Sequence, residues 1–203
     1  MKEKIYNFTA DTGIYLMSKL FPEYFAKEPL RPTDRYYEYP WALRHIFLYT
    51  KSAKILDVGS AGSMFPLLIK ALRHEVYSID IRKVDYETVY CGTQNICKTT
   101  FGDNAFDIIT AISTIEHIGL EGRYGVSKED TDYMAIDEIA RIIRPNGQFL
   151  MTVPFGNKYK ETKFHKIYDM PYLERLLARF KTSIDIVKSP ESDEKIALIK
   201  AVK

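Results

Sequence analysis

Residues 54–63, Lys-Ile-Leu-Asp-Val-Gly-Ser-Ala-Gly-Ser, constrain the fold more than any other stretch of this 203-residue chain. A short apolar run passes through Asp57 into small residues, and an apolar segment of helical length, residues 64–72, follows at once. This pattern predicts a strand, a tight loop and a helix. Small residues let the backbone approach a ligand closely, and the N-terminus of the next helix offers unpaired N–H groups. The loop therefore predicts a site for a nucleotide-like ligand.

Asp80 closes the next predicted strand, residues 75–79. A carboxylate about twenty residues after such a loop holds the ribose hydroxyls in many nucleotide sites. A nicotinamide dinucleotide would favour the pattern Gly-x-Gly-x-x-Gly, which admits a pyrophosphate. Here Ala61 follows Gly59 two places on, and Asp57 adds negative charge beside the loop. A pyrophosphate therefore fits poorly, and Asp80 is predicted to hold a ribose.

The Asp-x-Gly loop together with Asp80 resembles the first two motifs of class I S-adenosylmethionine-dependent methyltransferases. The resemblance continues through residues 106–117 and 139–150, and it covers roughly residues 34–180. It implies an α/β fold with a doubly wound, seven-stranded, mainly parallel sheet, and S-adenosylmethionine as the cofactor. The predicted cofactor contacts are Asp57, Gly59, Ser60, Ala61, Gly62, Asp80, Asn95 and Ser113.

The chain departs from the family pattern at two places. Ala61 and Ser63 stand where the loop usually has its second and third glycines. Gln94 and Asn95 stand where the family usually has Gly-Asp, whose acid meets the adenine amino group. The side-chain oxygen of Asn95 can still accept a hydrogen bond from an amino group. Asn95 therefore stays among the predicted contacts.

The alternation of apolar segments predicts the order of the elements. Strands are expected near residues 53–58, 75–79, 87–91, 106–112 and 147–153, helices near 11–21, 36–49 and 133–143, and a closing hairpin from 182–188 and 195–202. We expect one methyltransferase domain over residues 1–203, with residues 1–50 as a helical N-terminal extension and residues 51–203 as the Rossmann-like core. The aromatic-rich segment 35–46 either caps the cofactor cleft or packs against the sheet edge.

Composition agrees with a single enzyme domain. The formal net charge of +2 is too small to indicate nucleic acid as a partner. No apolar run reaches the roughly 18 residues of a membrane helix, and the N-terminus lacks a signal peptide's apolar core. No membrane partner and a cytoplasmic location are therefore expected. Cys91 and Cys97 match no zinc or redox spacing and are expected to be reduced. The oligomeric state is left open.

Catalysis is expected beyond the carboxyl end of the fourth strand, because open parallel sheets bind their ligands there. Glu116 and His117 lie at that end. A neutral imidazole near pH 7 can take the proton of a hydroxyl acceptor, so His117 is the candidate base. The equal alternative is that Glu116 and His117 only cap the next segment and shape the cofactor site. The Asn/Asp-Pro-Pro-Tyr sequence of planar-amine methyltransferases is absent here, which disfavours such acceptors.

Two long loops, residues 119–132 and 154–169, are expected to bind the acceptor, because both follow strands on the ligand side. The predicted acceptor contacts are Arg123, Tyr124, His165 and Tyr168. For His165 and Tyr168 the alternative is ordinary loop packing. Asp130 and Asp132 have no third ligand at suitable spacing, so no metal site is predicted.

The resemblance as a whole implies a small-molecule methyltransferase. We predict O-methylation of a sugar, a lipid-linked compound or another small biosynthetic intermediate. One alternative is a non-catalytic protein that binds S-adenosylmethionine as a sensor or partner subunit. Another is a tRNA or protein methyltransferase, for which a basic surface stripe would be diagnostic.

Overall fold

The structure is a computed structural model that describes residues 33–49, 52–120, 127–190 and 192–203. The helix expected over residues 11–21 lies outside these ranges. Among the described residues the helices are α1 (Arg35–Phe47), α2 (Phe65–Ala71), α3 (Asp132–Ile142) and α4 (Met170–Leu176), with a 3₁₀ turn at Ile115–His117. The strands are β1 (Lys54–Val58), β2 (Glu75–Asp80), β3 (Tyr90–Thr93), β4 (Phe106–Ile112), β5 (Ile143–Phe155), β6 (Lys160–Glu161), β7 (Lys166–Ile167), β8 (Lys181–Lys188) and β9 (Lys195–Val202).

Seven of these strands form one sheet in the order β3-β2-β1-β4-β5-β9-β8. Strands β1 to β5 run parallel to one another, whereas β9 is antiparallel to both β5 and β8. The remaining pair, β6 and β7, forms a small antiparallel hairpin. The predicted seven-stranded, mainly parallel sheet with its closing hairpin is thus confirmed.

The sheet has an apolar core on each face. Ile55 and Leu56 are neighbours in β1 but belong to different clusters of buried side chains, because successive strand residues point to opposite faces. On one face Leu56 shares a cluster with Ile139 of α3, and on the other face Ile55 shares one with Phe65 of α2. Helices therefore cover both faces, as a doubly wound sheet requires.

The N-terminal end of α3 has a clear local cause. Thr131 precedes the helix in extended conformation, and its Oγ1 accepts a hydrogen bond from the N–H of Met134 at 3.1 Å. This side-chain cap satisfies one of the first N–H groups of the helix, which have no partner within it. The cap places the start of α3 one residue before the expected position. It also fixes the end of the segment that connects β4 to α3.

The third strand begins later than expected. Residues 87–91 predict it, but pairing with β2 runs from Tyr90 to Thr93. Val89 is buried, yet its N–H donates to the carbonyl oxygen of Tyr86 at 3.1 Å in a turn. The apolar signal of this stretch therefore comes from a buried turn that precedes the strand.

Candidate functional site

A cavity of about 330 Å³ lies at the carboxyl ends of the parallel strands. Its walls come from the loop after β1, residues 79–82 at the end of β2, residues 94–96 after β3, and residues 112–114 and 117–118 around the end of β4. Helix α1 adds the side chains of Arg35 and Tyr39. The strand order reverses between β1 and β4, which is where open α/β sheets bind ligands.

The loop after β1 passes unusually close to the end of β4. Gly59 has a φ of 80°, a conformation that side chains disfavour. A Cβ built on it would lie 2.3 Å from Oγ1 of Thr114. That hydroxyl oxygen lies 3.1 Å from the carbonyl oxygens of both Val58 and Ile112, so Thr114 joins the ends of β1 and β4. Only glycine fits at position 59 without a local rearrangement.

Asp80 stands in the cavity wall next to a guanidinium. Its Oδ2 accepts hydrogen bonds from the N–H of Ala61 at 2.9 Å and from Nη2 of Arg82 at 3.2 Å. Its Oδ1 accepts from the backbone N–H and Nε of Arg82, at 2.8 and 3.1 Å. Nη2 of Arg82 also donates to the carbonyl oxygen of Ala61 at 3.2 Å. The carboxylate is therefore tied to the loop both directly and through Arg82.

Asn95 and Asp130 meet on another wall of the same cavity. Oδ1 of Asn95 accepts from the N–H of Cys97 at 2.9 Å, and its Nδ2 donates to Oδ2 of Asp130 at 2.8 Å. These two partners settle which side-chain atom of Asn95 is the oxygen, since a backbone N–H donates and a carboxylate accepts. The carboxylate of Asp130 has lone pairs for further donors besides Asn95.

Helix α1 is fixed to the sheet through a buried carboxylate. Oε1 of Glu38 accepts hydrogen bonds from Oγ of Ser113 at 2.6 Å and from Oγ1 of Thr152 at 2.5 Å. Its other oxygen pairs with the guanidinium of Arg35. Ser113 has a φ of 44°, so the backbone turns sharply directly after β4. These bonds bring the N-terminal helix over the cavity, where Arg35 becomes part of the wall.

His117 lies in the cavity wall at the end of the 3₁₀ turn, with 20% of its side chain exposed. Its Nδ1 is 2.8 Å from the backbone carbonyl oxygen of Phe164. A carbonyl oxygen can only accept, so Nδ1 carries the ring hydrogen in this contact. In the neutral ring, Nε2 is therefore the proton-accepting nitrogen. Nε2 lies 3.7 Å from Oε1 of Glu116.

A family model described as a methyltransferase domain matches residues 56–151. That span contains the loop after β1, Asp80 and His117. The matched span is a methyltransferase domain, which agrees with the resemblance to class I S-adenosylmethionine-dependent methyltransferases. Methyl transfer is accordingly its reaction class and S-adenosylmethionine its cofactor, as the resemblance implied.

Solved structures share the fold of this methyltransferase at low sequence identity. The Burkholderia thailandensis 1,6-didemethyltoxoflavin N1-methyltransferase is 15% identical, with a TM-score of 0.66, over 98% of this chain and 89% of that one. The Haemonchus contortus phosphoethanolamine N-methyltransferase 2 is 13% identical, with a TM-score of 0.64, over 95% and 57%. The cyclase SpnF is 16% identical, with a TM-score of 0.65, over 93% and 94%. A search of curated proteins found no match. At these identities the likeness concerns the fold alone.

Most of the predicted cofactor contacts of the methyltransferase meet at the cavity. The predicted residues that line it are Gly59, Ala61, Gly62, Asp80, Asn95, Ser113 and His117. Asp57 and Ser60 are buried behind it instead. Oδ1 of Asp57 accepts from Oγ1 of Thr110 at 2.6 Å, and the hydroxyl of Ser60 pairs with that of Ser78. Asp57 and Ser60 therefore stabilise the loop from its buried side, away from the cavity.

The two predicted acceptor contacts that the structure describes, His165 and Tyr168, do not line the cavity. Tyr168 is fully buried, and its hydroxyl donates to Oδ2 of Asp132 at 3.0 Å, inside the core next to α3. His165 lies beside Glu194, with Nε2 and Oε2 3.3 Å apart. The structure thus favours the packing alternative for both residues. Arg123 and Tyr124 lie outside the described residues.

The donors and acceptors of the cavity fit S-adenosylmethionine. Asp80 offers a carboxylate to hydroxyl groups, Arg35 offers a guanidinium to a carboxylate, and Ile96 and Ile118 add apolar surface. A Cβ on Gly62, whose φ is 81°, would meet nothing within 4 Å, so the backbone there is open to a ligand. Within the described ranges, no three or more His, Cys, Asp or Glu side chains form a group that could hold a metal ion.

Two buried carboxyl groups lie behind the cavity wall. Burial raises the pKa of Asp57 to about 7, although its bond from Thr110 opposes the change. Burial, with the nearby Glu38 carboxylate, raises the pKa of Glu116 to about 8 against the opposing charge of Arg35. Oε2 of Glu116 is buried and has no hydrogen-bond partner among the residues that the structure describes. A protonated, neutral Glu116 at pH 7 avoids burying a poorly solvated charge.

The raised pKa of Glu116 predicts a pH-dependent stability. The folded state keeps a proton that the unfolded chain releases near the ordinary value of 4.5. This contribution to stability is fully present below about pH 4.5 and is lost as the pH rises through 8. Glu116→Gln, which stays neutral, should gain stability over the unchanged protein across that window, by on the order of a few kcal/mol. Chemical denaturation at several pH values measures this gain.

Glu174→Gln is the matched control, because Glu174 is exposed on α4. It should leave the pH dependence of the free energy of unfolding unchanged. Parallel curves for Glu116→Gln and the unchanged protein would show that Glu116 is ionised at neutral pH.

Arg82 and Asp130 are among the residues of the cavity wall that the sequence reasoning missed. Arg82 follows Asp80 by two positions, but no sequence pattern distinguishes it from the other exposed basic residues. Asp130 was weighed only as a metal ligand, and its contact with Asn95 spans 35 residues of chain. A contact between segments so far apart depends on the folded loop and leaves no local signal.

Proposed function

We propose that this methyltransferase acts on an oxygen atom of a small biosynthetic intermediate, such as a sugar or a lipid-linked compound. The observation that carries this proposal is the contact between His117 and Phe164, which leaves Nε2 as the accepting nitrogen of a ring in the cavity wall. A hydroxyl acceptor is a poor nucleophile until it loses its proton, so a positioned base is most useful for this class.

When bound, S-adenosylmethionine supplies an electrophilic methyl group, which the acceptor oxygen takes as the carbon–sulfur bond breaks. His117 receives on Nε2 the proton that the acceptor hydroxyl loses. We assign Asp80 to the ribose hydroxyls, Asn95 and Asp130 to the adenine amino group, and Arg35 to the cofactor carboxylate. The remaining task of the protein is to hold acceptor and methyl donor in line.

The test is a screen of acceptors in matched pairs with the full chain, following release of S-adenosylhomocysteine and formation of the methylated product. Each hydroxyl compound is paired with its amine analogue and with a form whose hydroxyl is blocked. Turnover of the hydroxyl compound alone supports the proposal. Preference for the amine would replace it with N-methylation, the activity for which two of the structural neighbours are named. Binding of S-adenosylmethionine without turnover of any acceptor would favour the sensor or partner subunit.

We also propose that the reaction takes place in the cytoplasm. Cys91 and Cys97 are both free thiols, which agrees with a reducing compartment such as the cytoplasm. No helix in the described part of the chain is long and apolar enough to cross a membrane. We propose a single domain in which the N-terminal extension caps the core through α1, because α1 contributes Arg35 and Tyr39 to the cavity; residues 1–32 and 50 lie outside the described residues. The acceptor is proposed to be a small molecule, with nucleic acid not expected as a partner.

Asp80→Ala tests the cofactor assignment. The loss of charge-assisted hydrogen bonds to the ribose should weaken S-adenosylmethionine binding by about 1.5 to 3 kcal/mol. Removing the carboxylate also releases the N–H of Ala61, so part of the loss reflects a less ordered loop. Calorimetry measures the affinity, and Asp85→Ala, which removes an exposed acid five residues on, is the control. Unchanged affinity in a folded Asp80→Ala protein would remove Asp80 from the cofactor contacts.

A further inference from the structure

The orientation of His117 is set by a short turn outside the cavity wall. Residues 162–165 connect β6 to β7, and the carbonyl oxygen of Phe164 in this turn is the partner of Nδ1 at 2.8 Å. The ring of Phe164 is 62% exposed, so its own burial does little to hold that carbonyl in place. The position of the carbonyl therefore depends on the other contacts of the turn.

Thr162 organises this turn. Its Oγ1 accepts hydrogen bonds from the N–H of Phe164 at 3.1 Å and from the N–H of His165 at 3.0 Å, and it donates to the carbonyl oxygen of His165 at 2.8 Å. The backbone N–H of Thr162 donates to the same carbonyl at 3.0 Å. One hydroxyl thus fixes the peptide groups on both sides of the Phe164 carbonyl.

The turn is also anchored to the rest of the domain. Lys166, the first residue of β7, is buried, and its Nζ lies 3.3 Å from Oδ2 of Asp132 at the start of α3. Tyr168 donates to the same carboxylate oxygen at 3.0 Å. These contacts hold the hairpin of β6 and β7 against the start of α3, and β7 also contacts the 3₁₀ turn that ends at His117.

We propose that Thr162 is a positioning residue that, through the Phe164 carbonyl, keeps His117 in the tautomer with hydrogen on Nδ1. The opposite tautomer would place an N–H on Nε2 and would turn a lone pair of Nδ1 toward a carbonyl oxygen, which is repulsive. The hydroxyl of Thr162 thereby keeps Nε2 able to accept a proton. The kinetic consequence rests on the proposed function, whereas the tautomer itself does not.

The experiment uses the full chain labelled with ¹⁵N, in which long-range proton–nitrogen NMR distinguishes the two tautomers of His117. The unchanged protein should show hydrogen on Nδ1 when the ring is neutral. Thr162→Val keeps the shape of the side chain without its hydroxyl, and it should lose this pattern in favour of the Nε2–H form. Thr162→Ser keeps the hydroxyl and should restore the pattern. Phe164→Ala keeps the backbone carbonyl and should also preserve it.

Two results would overturn the proposal: hydrogen on Nε2 in the unchanged protein, or an Nδ1–H pattern in folded Thr162→Val as strong as in the unchanged protein. If Thr162→Val fails to fold, the proposal is decided by the tautomer of His117 in the unchanged protein and by its retention in Phe164→Ala. With an acceptor in hand, Thr162→Val should lower kcat by roughly tenfold to a hundredfold, with the Kd of the cofactor unchanged. A confirmed tautomer together with normal turnover in His117→Ala would refute the proposed base and leave this positioning role intact.

Discussion

Replacing His117 with alanine is expected to lower the rate of methyl transfer at neutral pH by about 10² to 10⁴. The affinity for S-adenosylmethionine should stay close to that of the unchanged protein, because the proposed cofactor contacts lie on other residues. The physical reason is that a hydroxyl acceptor must lose its proton as the new carbon–oxygen bond forms. Nε2 of His117 is the nitrogen that the contact with Phe164 leaves able to take it.

The pH dependence separates a base from a structural residue. The loss in His117→Ala should shrink as the pH rises, since hydroxide and the ionised acceptor can replace the missing base. Single-turnover transfer against pH measures this, once an acceptor is known. His45→Ala is the matched control, because His45 packs against Trp41 on α1 and does not line the cavity. An unchanged single-turnover rate, or a loss confined to stability and cofactor affinity, would support the capping alternative.

The strands that position the site could be predicted because their pattern is local. Residues 106–112 and 195–202 match β4 and β9 without any shift. A long apolar run indicates a strand buried on both faces, and an alternating run indicates a strand buried on one face. The edge strand β3 has a weaker pattern, as only one neighbour pairs with it. Its expected start was wrong by three residues because the buried side chain of Val89 belongs to the turn before the strand.

The cofactor loop was predictable for a similar reason, since one short segment supplies Gly59, Ala61 and Gly62. The direction in which each residue of the loop faces was not predictable. Ser60 and Ala61 are neighbours, yet the Ser60 hydroxyl is buried against Ser78 while Ala61 lines the cavity. Such a choice depends on the path of the loop, and a run of small residues does not specify that path.

Residues that act through distant contacts were the hardest to assign. Tyr168 looked like an acceptor contact because its loop follows β5 on the ligand side. In the fold its hydroxyl finds the carboxylate of Asp132, and the ring fills the core. A tyrosine suits either place, since its ring is apolar and its hydroxyl polar. The polar partner that decides between them lies 36 residues away.

Gly59→Val is expected to weaken cofactor binding by more than about a hundredfold, which corresponds to ~2.8 kcal/mol. The backbone at Gly59 has a φ of 80°, which a β-branched residue tolerates poorly. A Cβ there would also lie 2.3 Å from Oγ1 and 2.4 Å from Cγ2 of Thr114. Either the loop moves into the cavity or Thr114 gives up its bonds to Val58 and Ile112. Both changes alter the wall against which the cofactor is proposed to lie.

The sheet should remain folded in this variant, because the strain is confined to the turn between β1 and α2. Calorimetry measures the loss of binding, and circular dichroism with thermal unfolding checks the fold. Gly102→Ala is the control, since a Cβ at Gly102 meets nothing within 4 Å and the residue does not line the cavity. If Gly59→Val unfolds, Gly59→Ala places a smaller side chain at the same φ. It should still bind the cofactor more weakly than Gly102→Ala does. Normal cofactor affinity in folded Gly59→Val would mean that this loop does not approach the ligand, and the proposed placement of the cofactor would then be wrong.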